Sequence, residues 1–152
     1  MARFIYRMQN ILNIKQQLEE QAKQNFALMR LKLNEEEALL SSMRVKRVEL
    51  VNHAKELRLE GTLDMLELRD SNALIKYQDE IIKQQTMRVK VAQKNLEAAR
   101  AKMQEAILER EIQDKLREKA FDEFVKEENL KETKEIDELT SYTYGRNADK
   151  RM

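Results

Sequence analysis

The sequence offers few side chains that could carry out acid–base, nucleophilic or metal chemistry. It contains one histidine, His53, and no cysteine, so it can form neither a His–Cys dyad nor a thiolate metal site. The acidic clusters Glu35 to Glu37 and Glu127 to Glu128 carry oxygen ligands of the kind that cations prefer. Both clusters lie in sequence of alternating charge, which is typical of solvated helix faces. We therefore predict no catalytic, metal or cofactor site.

Composition excludes further classes of function. Two glycines cannot form a glycine-rich loop that binds phosphate. The 29 basic and 28 acidic residues leave a net charge of +1, which gives no general attraction to nucleic acid or to an anionic membrane. No uncharged apolar stretch approaches the roughly 18 residues that a membrane span needs. We expect no enzyme, no nucleic-acid binding and no direct membrane insertion, so this protein acts by binding other proteins.

The elements that position the side chains are long helices. The chain has 38% charged residues, no proline and only two glycines, which is typical of extended helix. Counted in heptads from Phe4, the apolar a and d positions of the first half are Phe4, Met8, Ile11, Leu18, Ala22, Met29, Leu39, Met43, Leu50 and Leu57. In the middle of this half the apolar stripe drifts by one residue to Phe26, Leu33 and Leu40. This periodicity predicts a coiled-coil helix.

A single turn divides the chain into two such helices. Gly61 can end the first helix, and Thr62 or the cluster Asp70, Ser71 and Asn72 can cap the second. We predict helix 1 over about residues 3–59, a turn over about 60–71 and helix 2 over about 72–143. Helix 2 carries its own apolar stripe, which contains Leu74, Tyr77, Ile81, Ala92, Leu96, Ala99, Met103, Ala106, Ile112, Leu116, Ala120 and Phe124.

Antiparallel pairing of these helices predicts an all-α hairpin that forms one domain over residues 1–152. If the turn is centred near residue 66, antiparallel pairing sets residue i opposite residue 132 minus i. That register places small residues opposite large ones, with Ala92 opposite Leu40, Ala99 opposite Leu33 and Ala106 opposite Phe26. Because helix 2 is longer, residues 132–152 form an unpaired C-terminal overhang.

Near the turn, helix 1 has two partly apolar stripes. One contains Met43, Leu50 and Leu57, and the other contains Val48, Val51 and Ala54. One partner helix cannot cover both stripes, so one of them is a candidate docking surface. The sequence leaves open which stripe faces outward.

Three segments in this order resemble the FliJ family, the small coiled-coil proteins of the bacterial flagellar export apparatus. They are FIYRMQNILNIKQQLEEQAK at the start, LIKYQDEIIKQQ at the opening of helix 2 and EIDELTSYTYGR near the end. The resemblance covers nearly the whole chain. It implies an antiparallel coiled-coil hairpin similar to the stalk (gamma) subunit of rotary ATPases.

The resemblance also implies partners and a location. The partners are the hexameric flagellar export ATPase, whose assembly and activity the protein promotes, the membrane-embedded export gate and the flagellar export chaperones that it escorts. The location is the cytoplasm, at the inner face of the cell membrane below the flagellum. We expect the free chain to be monomeric.

The resemblance assigns two groups of contact residues. The end with both termini would enter the ATPase ring and present Phe4, Tyr6, Arg7, Met8, Tyr142, Tyr144 and Arg146. An outward stripe near the turn would contact the export gate through Lys46, Leu50, His53, Leu57, Tyr77 and Gln84. Two alternatives stay open at this point. One is the equivalent stalk protein of a virulence-type secretion system, and the other is a self-assembling structural coiled coil.

Overall fold

The computed structural model describes residues 2–60 and 64–150. It contains the helices α1 (Gln9–Leu59) and α2 (Met65–Lys150), and the described residues include no strand. The two helices pack against each other in antiparallel directions, with contacts such as Lys15 to Glu109. The predicted all-α coiled-coil hairpin is therefore confirmed.

Residue contacts group the chain into two compact units. Met1–Glu19 and Ala106–Met152 form the first, which we call the terminal unit, and Glu20–Glu105 form the second, which we call the turn unit. Each unit contains parts of both helices, so each has its own seam between α1 and α2. We describe each unit by its own contacts.

Helix α1 begins at Gln9, later than the expected start near residue 3. Its first turn is closed by the Gln9 N–H, which donates to the Tyr6 carbonyl at 3.2 Å, and by the Leu12 N–H, which donates to the Met8 carbonyl at 3.0 Å. Residues 2–6 are not helical. In this segment the Phe4 ring packs on two phenylalanines of α2. This aromatic contact holds the segment at the place where helix 1 was expected to begin.

Helix α2 begins at Met65 and not near residue 72, so the predicted turn over residues 60–71 is too long. The Asp64 carboxylate accepts a hydrogen bond from the Leu66 N–H at 3.0 Å, which makes Asp64 the N-cap. The predicted cap cluster at residues 70–72 lies inside the helix instead. Gly61 and Thr62, the other predicted turn residues, lie outside the described residues. At its far end α2 extends to Lys150, beyond the expected end near residue 143.

The seam of the turn unit follows one unbroken heptad pattern on each helix. Successive members are alternately three and four residues apart, and each is buried or half-buried. On α1 they are Ala22, Phe26, Met29, Leu33, Glu36, Leu40, Met43, Arg47, Leu50, Ala54 and Leu57. On α2 they are Leu68, Ser71, Ile75, Gln78, Ile82, Gln85, Val89, Ala92, Leu96, Ala99 and Met103. The stripe that drifts through Phe26, Leu33 and Leu40 is thus part of the seam itself.

Several expected seam residues are exposed. They are Met8 just before α1, Ile11, Leu18 and Leu39 on α1, and Leu74, Tyr77, Ile112 and Leu116 on α2. Beside Ile11 and Leu39 the apolar neighbours Leu12 and Leu40 are buried instead, and elsewhere polar residues occupy the seam. On α2, Ser71, Gln78 and Gln85 are buried, and a count of apolar residues cannot find them. By contrast, the stripe from Ala92 to Met103 lies on the seam as predicted.

Two buried glutamines set the register of the turn unit. The Gln78 amide donates to the Met43 main-chain carbonyl at 2.9 Å, and the Gln85 amide donates to the Glu36 carbonyl at 3.0 Å and also to the Glu36 carboxylate. Leu40 lies between Met43 and Glu36, so it faces α2 between the two glutamines and not at Ala92. The predicted register placed Gln78 opposite Ala54 and Gln85 opposite Arg47, so it is wrong by about eleven residues at these contacts.

The contact at Phe26 corrects the register in the same direction. The guanidinium of Arg100 lies 5.7 Å from the centre of the Phe26 ring, whereas the predicted register placed Ala106 there. A shift of one heptad returns the same positions to the seam. The regular spacing of alanines on α2 therefore fits both registers, and apolar pattern alone cannot choose between them.

A substitution of Ser71 tests whether this residue lies on the seam. Its oxygen is buried without a hydrogen-bond partner in the described structure, which costs stability. We expect Ser71→Ala to raise the free energy of unfolding by about 1 kcal/mol, because it removes the unpaired hydroxyl and improves helix propensity. Urea denaturation checks this value. Ser42→Ala, at an exposed position of α1, is the control for propensity alone, and an equal gain in both variants would contradict the assignment.

Candidate functional site

An aromatic cluster holds the N-terminal segment of the terminal unit on α2. The Phe4 ring makes an edge contact with Phe121, with ring centres 5.2 Å apart, and a tilted contact with Phe124 at 5.4 Å. The guanidinium of Arg117 lies 5.6 Å from the centre of the Phe4 ring, within the range of a cation–π contact. Arg117 also donates to the side-chain oxygen of Gln9 at 3.1 Å, and so links the start of α1 to the same cluster.

Polar contacts continue from this cluster along the terminal unit. The Tyr6 hydroxyl donates to the Gln113 side-chain oxygen at 3.4 Å. Further along, the Lys15 ammonium lies 2.8 Å from the Glu109 carboxylate. Both pairs join α1, or the segment before it, to α2. The seam of this unit therefore depends on hydrogen bonds and ion pairs as well as on apolar contact.

Arg110 is the centre of the most connected polar group. Its guanidinium donates to the carboxylates of Glu19 on α1 and Asp114 on its own helix. The Glu19 side chain is almost fully buried. The hydrogen bond to Glu19, followed by the one to Asp114, raises the pKa of Arg110 above its ordinary value. A basic group with a raised pKa keeps its stabilising contribution until the pH rises through that pKa. Arg110 therefore stays charged in neutral solution.

The residues of the predicted ring contact fall into two groups. Phe4 and Tyr6 are half-buried against α2, while Arg7 and Met8 are exposed beside them. Tyr142, Tyr144 and Arg146 are exposed on the last turns of α2. The terminal unit thus brings together the four N-terminal residues, but it gives the three C-terminal ones no contact with them.

The C-terminal part of α2 has no cover from α1. Every residue from 129 to 148 is exposed, although the helix continues without interruption to Lys150. Gly145 lies inside this stretch, and a methyl group added there would meet no atom within 4 Å. Between residues 129 and 148 the helix is therefore open on all sides. The exposed large side chains of this stretch are Leu130, Ile136, Leu139, Tyr142 and Tyr144.

The residues of the predicted gate contact comprise exposed residues and seam residues. Lys46, His53 and Gln84 are exposed, and Tyr77 is 66% exposed. Leu50 and Leu57 are half-buried seam residues, so they support the surface and do not form it. We call the exposed group, with Leu74, the turn-proximal surface.

Leu74 was missed by the sequence reasoning. It is 53% exposed and lies one helical turn before Tyr77, on the same side of α2. The apolar pattern of α2 places it on the seam. The signal that could have identified it is the heptad phase of Ala92, Leu96 and Ala99, which, extended backwards, places Ile75 on the seam and Leu74 beside it.

Neither of the two stripes near the turn faces outward as a whole. Met43, Leu50 and Leu57 are half-buried on the seam, and Ala54 of the other stripe is buried there too. Val48 is 56% exposed. The sequence leaves open which stripe faces outward. Neither does so as a whole, because the a and d positions of the seam include residues of both stripes.

Searches for metal sites and membrane spans covered the described residues. Within residues 2–60 and 64–150, no three His, Asp or Glu side chains come close enough to hold a metal ion. In the same part of the chain, neither helix contains a segment of sufficient length and hydropathy to cross a membrane.

Comparison with known proteins identifies relatives of the sequence and of the fold. The family model described as the flagellar FliJ protein matches residues 4–149. No curated protein matches the sequence. Among solved structures, a YscO homolog from Chlamydia trachomatis, CT670, has the same fold with a TM-score of 0.75 and 23% identity. That match covers 98% of this chain and 99% of the other.

The aromatic cluster generates a test of how the N-terminal segment is held. We expect Phe4→Ala to lower the free energy of unfolding by about 1–3 kcal/mol, because two ring contacts and apolar burial are lost. Amide hydrogen exchange should also speed up at residues 4–12. Ile5→Ala is the matched control, since Ile5 is 80% exposed. If both variants behave alike, the ring contacts do not hold this segment.

Proposed function

Since this chain belongs to the flagellar FliJ family, we propose that it is a non-enzymatic stalk of the flagellar export apparatus. In this role it binds the hexameric export ATPase, promotes assembly and activity of the ring, and links the ring to the export gate. The bare C-terminal helix of the terminal unit is the observation that carries the proposal. A helix with every residue from 129 to 148 exposed has room for partners on all sides.

The proposed ring contact combines two kinds of surface. Arg7 and Met8 are exposed beside the packed rings of Phe4 and Tyr6, so a rigid base presents them. Tyr142 and Tyr144 are 69% and 79% exposed. Tyrosine offers a large apolar area and a hydroxyl at low cost in side-chain entropy, which suits it to protein interfaces. These features support entry of this end into a ring.

The proposed gate contact uses the turn-proximal surface. Tyr77 and Leu74 form its apolar centre, and Lys46, His53 and Gln84 are polar residues on the same unit. This arrangement of an aromatic anchor among polar residues is typical of a protein-binding surface. Leu50 and Leu57 would act indirectly, by holding α1 against α2 beneath the surface.

Escort of export chaperones is a further part of the proposal. The terminal unit has exposed apolar residues on α1, namely Ile11, Ile14 and Leu18, which provide a surface separate from the ring and gate contacts. The proposed site of action is the cytoplasmic face of the membrane at the flagellar base, where the export gate would hold the protein. Association with the membrane would then be indirect.

The virulence-type stalk stays a second candidate, and the ATPase that responds distinguishes the two. A flagellar stalk should stimulate the flagellar export ATPase of its own genome and leave an injectisome ATPase unchanged. Stimulation of the injectisome ATPase alone would instead support the virulence-type stalk.

The overhang generates the test of ring binding. We expect the full chain to increase ATP hydrolysis and hexamer formation by the export ATPase, and we expect deletion of residues 132–152 to weaken both. Steady-state hydrolysis and analytical ultracentrifugation measure these effects. Tyr142→Ala with Tyr144→Ala should reproduce much of the loss, while Lys55→Ala, at an exposed position of the turn unit, should not. A full chain without effect on either measurement would contradict the stalk proposal.

The turn-proximal surface generates a separate test. We expect Tyr77→Ala to weaken binding of the cytoplasmic domain of the export gate about tenfold or more, as for an aromatic anchor. Isothermal titration calorimetry measures the affinity. Tyr142→Ala should leave gate binding unchanged. Equal affinities for Tyr77→Ala and the unmodified chain would remove this surface from the proposal.

A further inference from the structure

Two segments of α2 carry opposite charge. Residues 81–96 contain the four basic residues Lys83, Arg88, Lys90 and Lys94 and no acidic residue. Residues 127–138 contain six acidic residues and two lysines. The first segment belongs to the turn unit and the second to the terminal unit. A helix cannot pack against itself, so a contact between these two segments requires two molecules.

The basic segment presents a mixed stripe to solvent. Met87 and Val91 are 57% and 55% exposed, and Lys90 and Lys94 are exposed beside them. The spacing of three and four residues places these four side chains on one face of the helix. The two lysines form no ion pair within the described residues. This face, which we call the basic stripe, therefore has uncovered apolar area and uncompensated charge.

The overhang presents the complementary pattern. Glu135, Glu138, Leu139 and Tyr142 have the same spacing of three and four residues, so they also share one helix face. Leu139 and Tyr142 are largely exposed, and neither glutamate forms an ion pair within the described residues. We call this face the acidic stripe.

The two stripes match in one antiparallel register. When Val91 is set opposite Leu139, Met87 meets Tyr142. In this register Lys90 lies two residues from the point opposite Glu138, and Lys94 lies one residue from the point opposite Glu135. The apolar groups therefore meet, and each lysine side chain can reach a glutamate. A parallel arrangement with Val91 opposite Leu139 instead sets Met87 against Glu135 and Lys94 against Tyr142.

From this match we propose that the basic stripe binds the acidic stripe of a second copy of this chain. The match ends after about two helical turns, because the same register sets Glu97 against Glu132 and Lys83 against Arg146. The contact is therefore small and weak. It forms at high protein concentration and low ionic strength, and the chain is monomeric in dilute solution.

The contact has consequences beyond the proposed function. It joins the basic stripe of one molecule to the acidic stripe of the other. It also covers Tyr142, which is part of the proposed ring contact. At the concentrations where the contact forms, the second copy therefore competes with other partners for the acidic stripe.

Cysteine cross-linking tests the register, because the natural chain contains no cysteine. We expect a mixture of Val91→Cys and Leu139→Cys chains, one carrying a tag, to form the mixed disulfide about tenfold faster than a mixture of Val91→Cys and Leu130→Cys. Leu130 is 69% exposed, so it is a control of similar accessibility outside the register. In 1 M salt, where the screening length is about 3 Å, the difference should shrink. Equal rates at low salt would overturn the proposal.

Charge reversal tests the pairing with the purified chain alone. Lys90→Glu with Lys94→Glu should abolish association in sedimentation velocity, and so should Glu135→Lys with Glu138→Lys. A mixture of these two variants should associate again, because each basic stripe then meets an acidic one. Lys55→Glu with Lys76→Glu changes the net charge equally at exposed sites and should preserve association. If the mixture remains monomeric while the unmodified chain associates, the proposed pairing is wrong.

Discussion

The hydrogen bonds from two buried glutamines to the main chain of the facing helix are the constraint on which the turn unit depends. Gln85 and Gln78 are 2% and 4% exposed, and their amides donate to the carbonyls of Glu36 and Met43. A slip of one heptad offers the amides other main-chain carbonyls, but it takes the Glu36 carboxylate away from Gln85, because Met29 and Met43 occupy the equivalent positions. A buried polar group that loses its partner costs about 1–3 kcal/mol. Apolar residues impose no such penalty, because each heptad offers an equivalent neighbour. The polar seam positions therefore choose among registers that the apolar ones leave nearly equal.

Sequence could predict the two helices, their antiparallel packing and the stretch of α2 that carries Ala92, Leu96 and Ala99 on the seam. It could not predict the register, because a shift by one heptad keeps those alanines on the seam. It also misplaced Leu74 and Tyr77, since Ser71 and Gln78 are buried where an apolar pattern expects leucine. The helix start was wrong for a related reason: the contact of Phe4 with Phe121 and Phe124 is made at a distance in sequence, and local periodicity cannot show it.

The corrected seam explains which residues are available to partners. Once Leu50 and Leu57 are on the seam, the turn-proximal surface consists of side chains that flank it, and Tyr77 becomes its natural anchor. In the terminal unit, the rings around Phe4 and the ion pairs of Lys15 and Arg110 occupy the seam. From residue 129 to residue 148 the helix then continues with every residue exposed. The same pattern that builds the hairpin thus sets both proposed contacts of the stalk.

Disulfide formation within the turn unit tests the register most directly. Leu40 lies between Glu36 and Met43 on α1, and Ile82 lies between Gln78 and Gln85 on α2. We expect a Leu40→Cys and Ile82→Cys double variant to oxidise rapidly to an intramolecular disulfide, because these side chains face each other. A Leu40→Cys and Ala92→Cys variant, which follows the register expected from apolar pattern alone, should remain reduced under the same conditions. Rapid oxidation of the Ala92 variant, with the Ile82 variant left reduced, would contradict the central role of the buried glutamines.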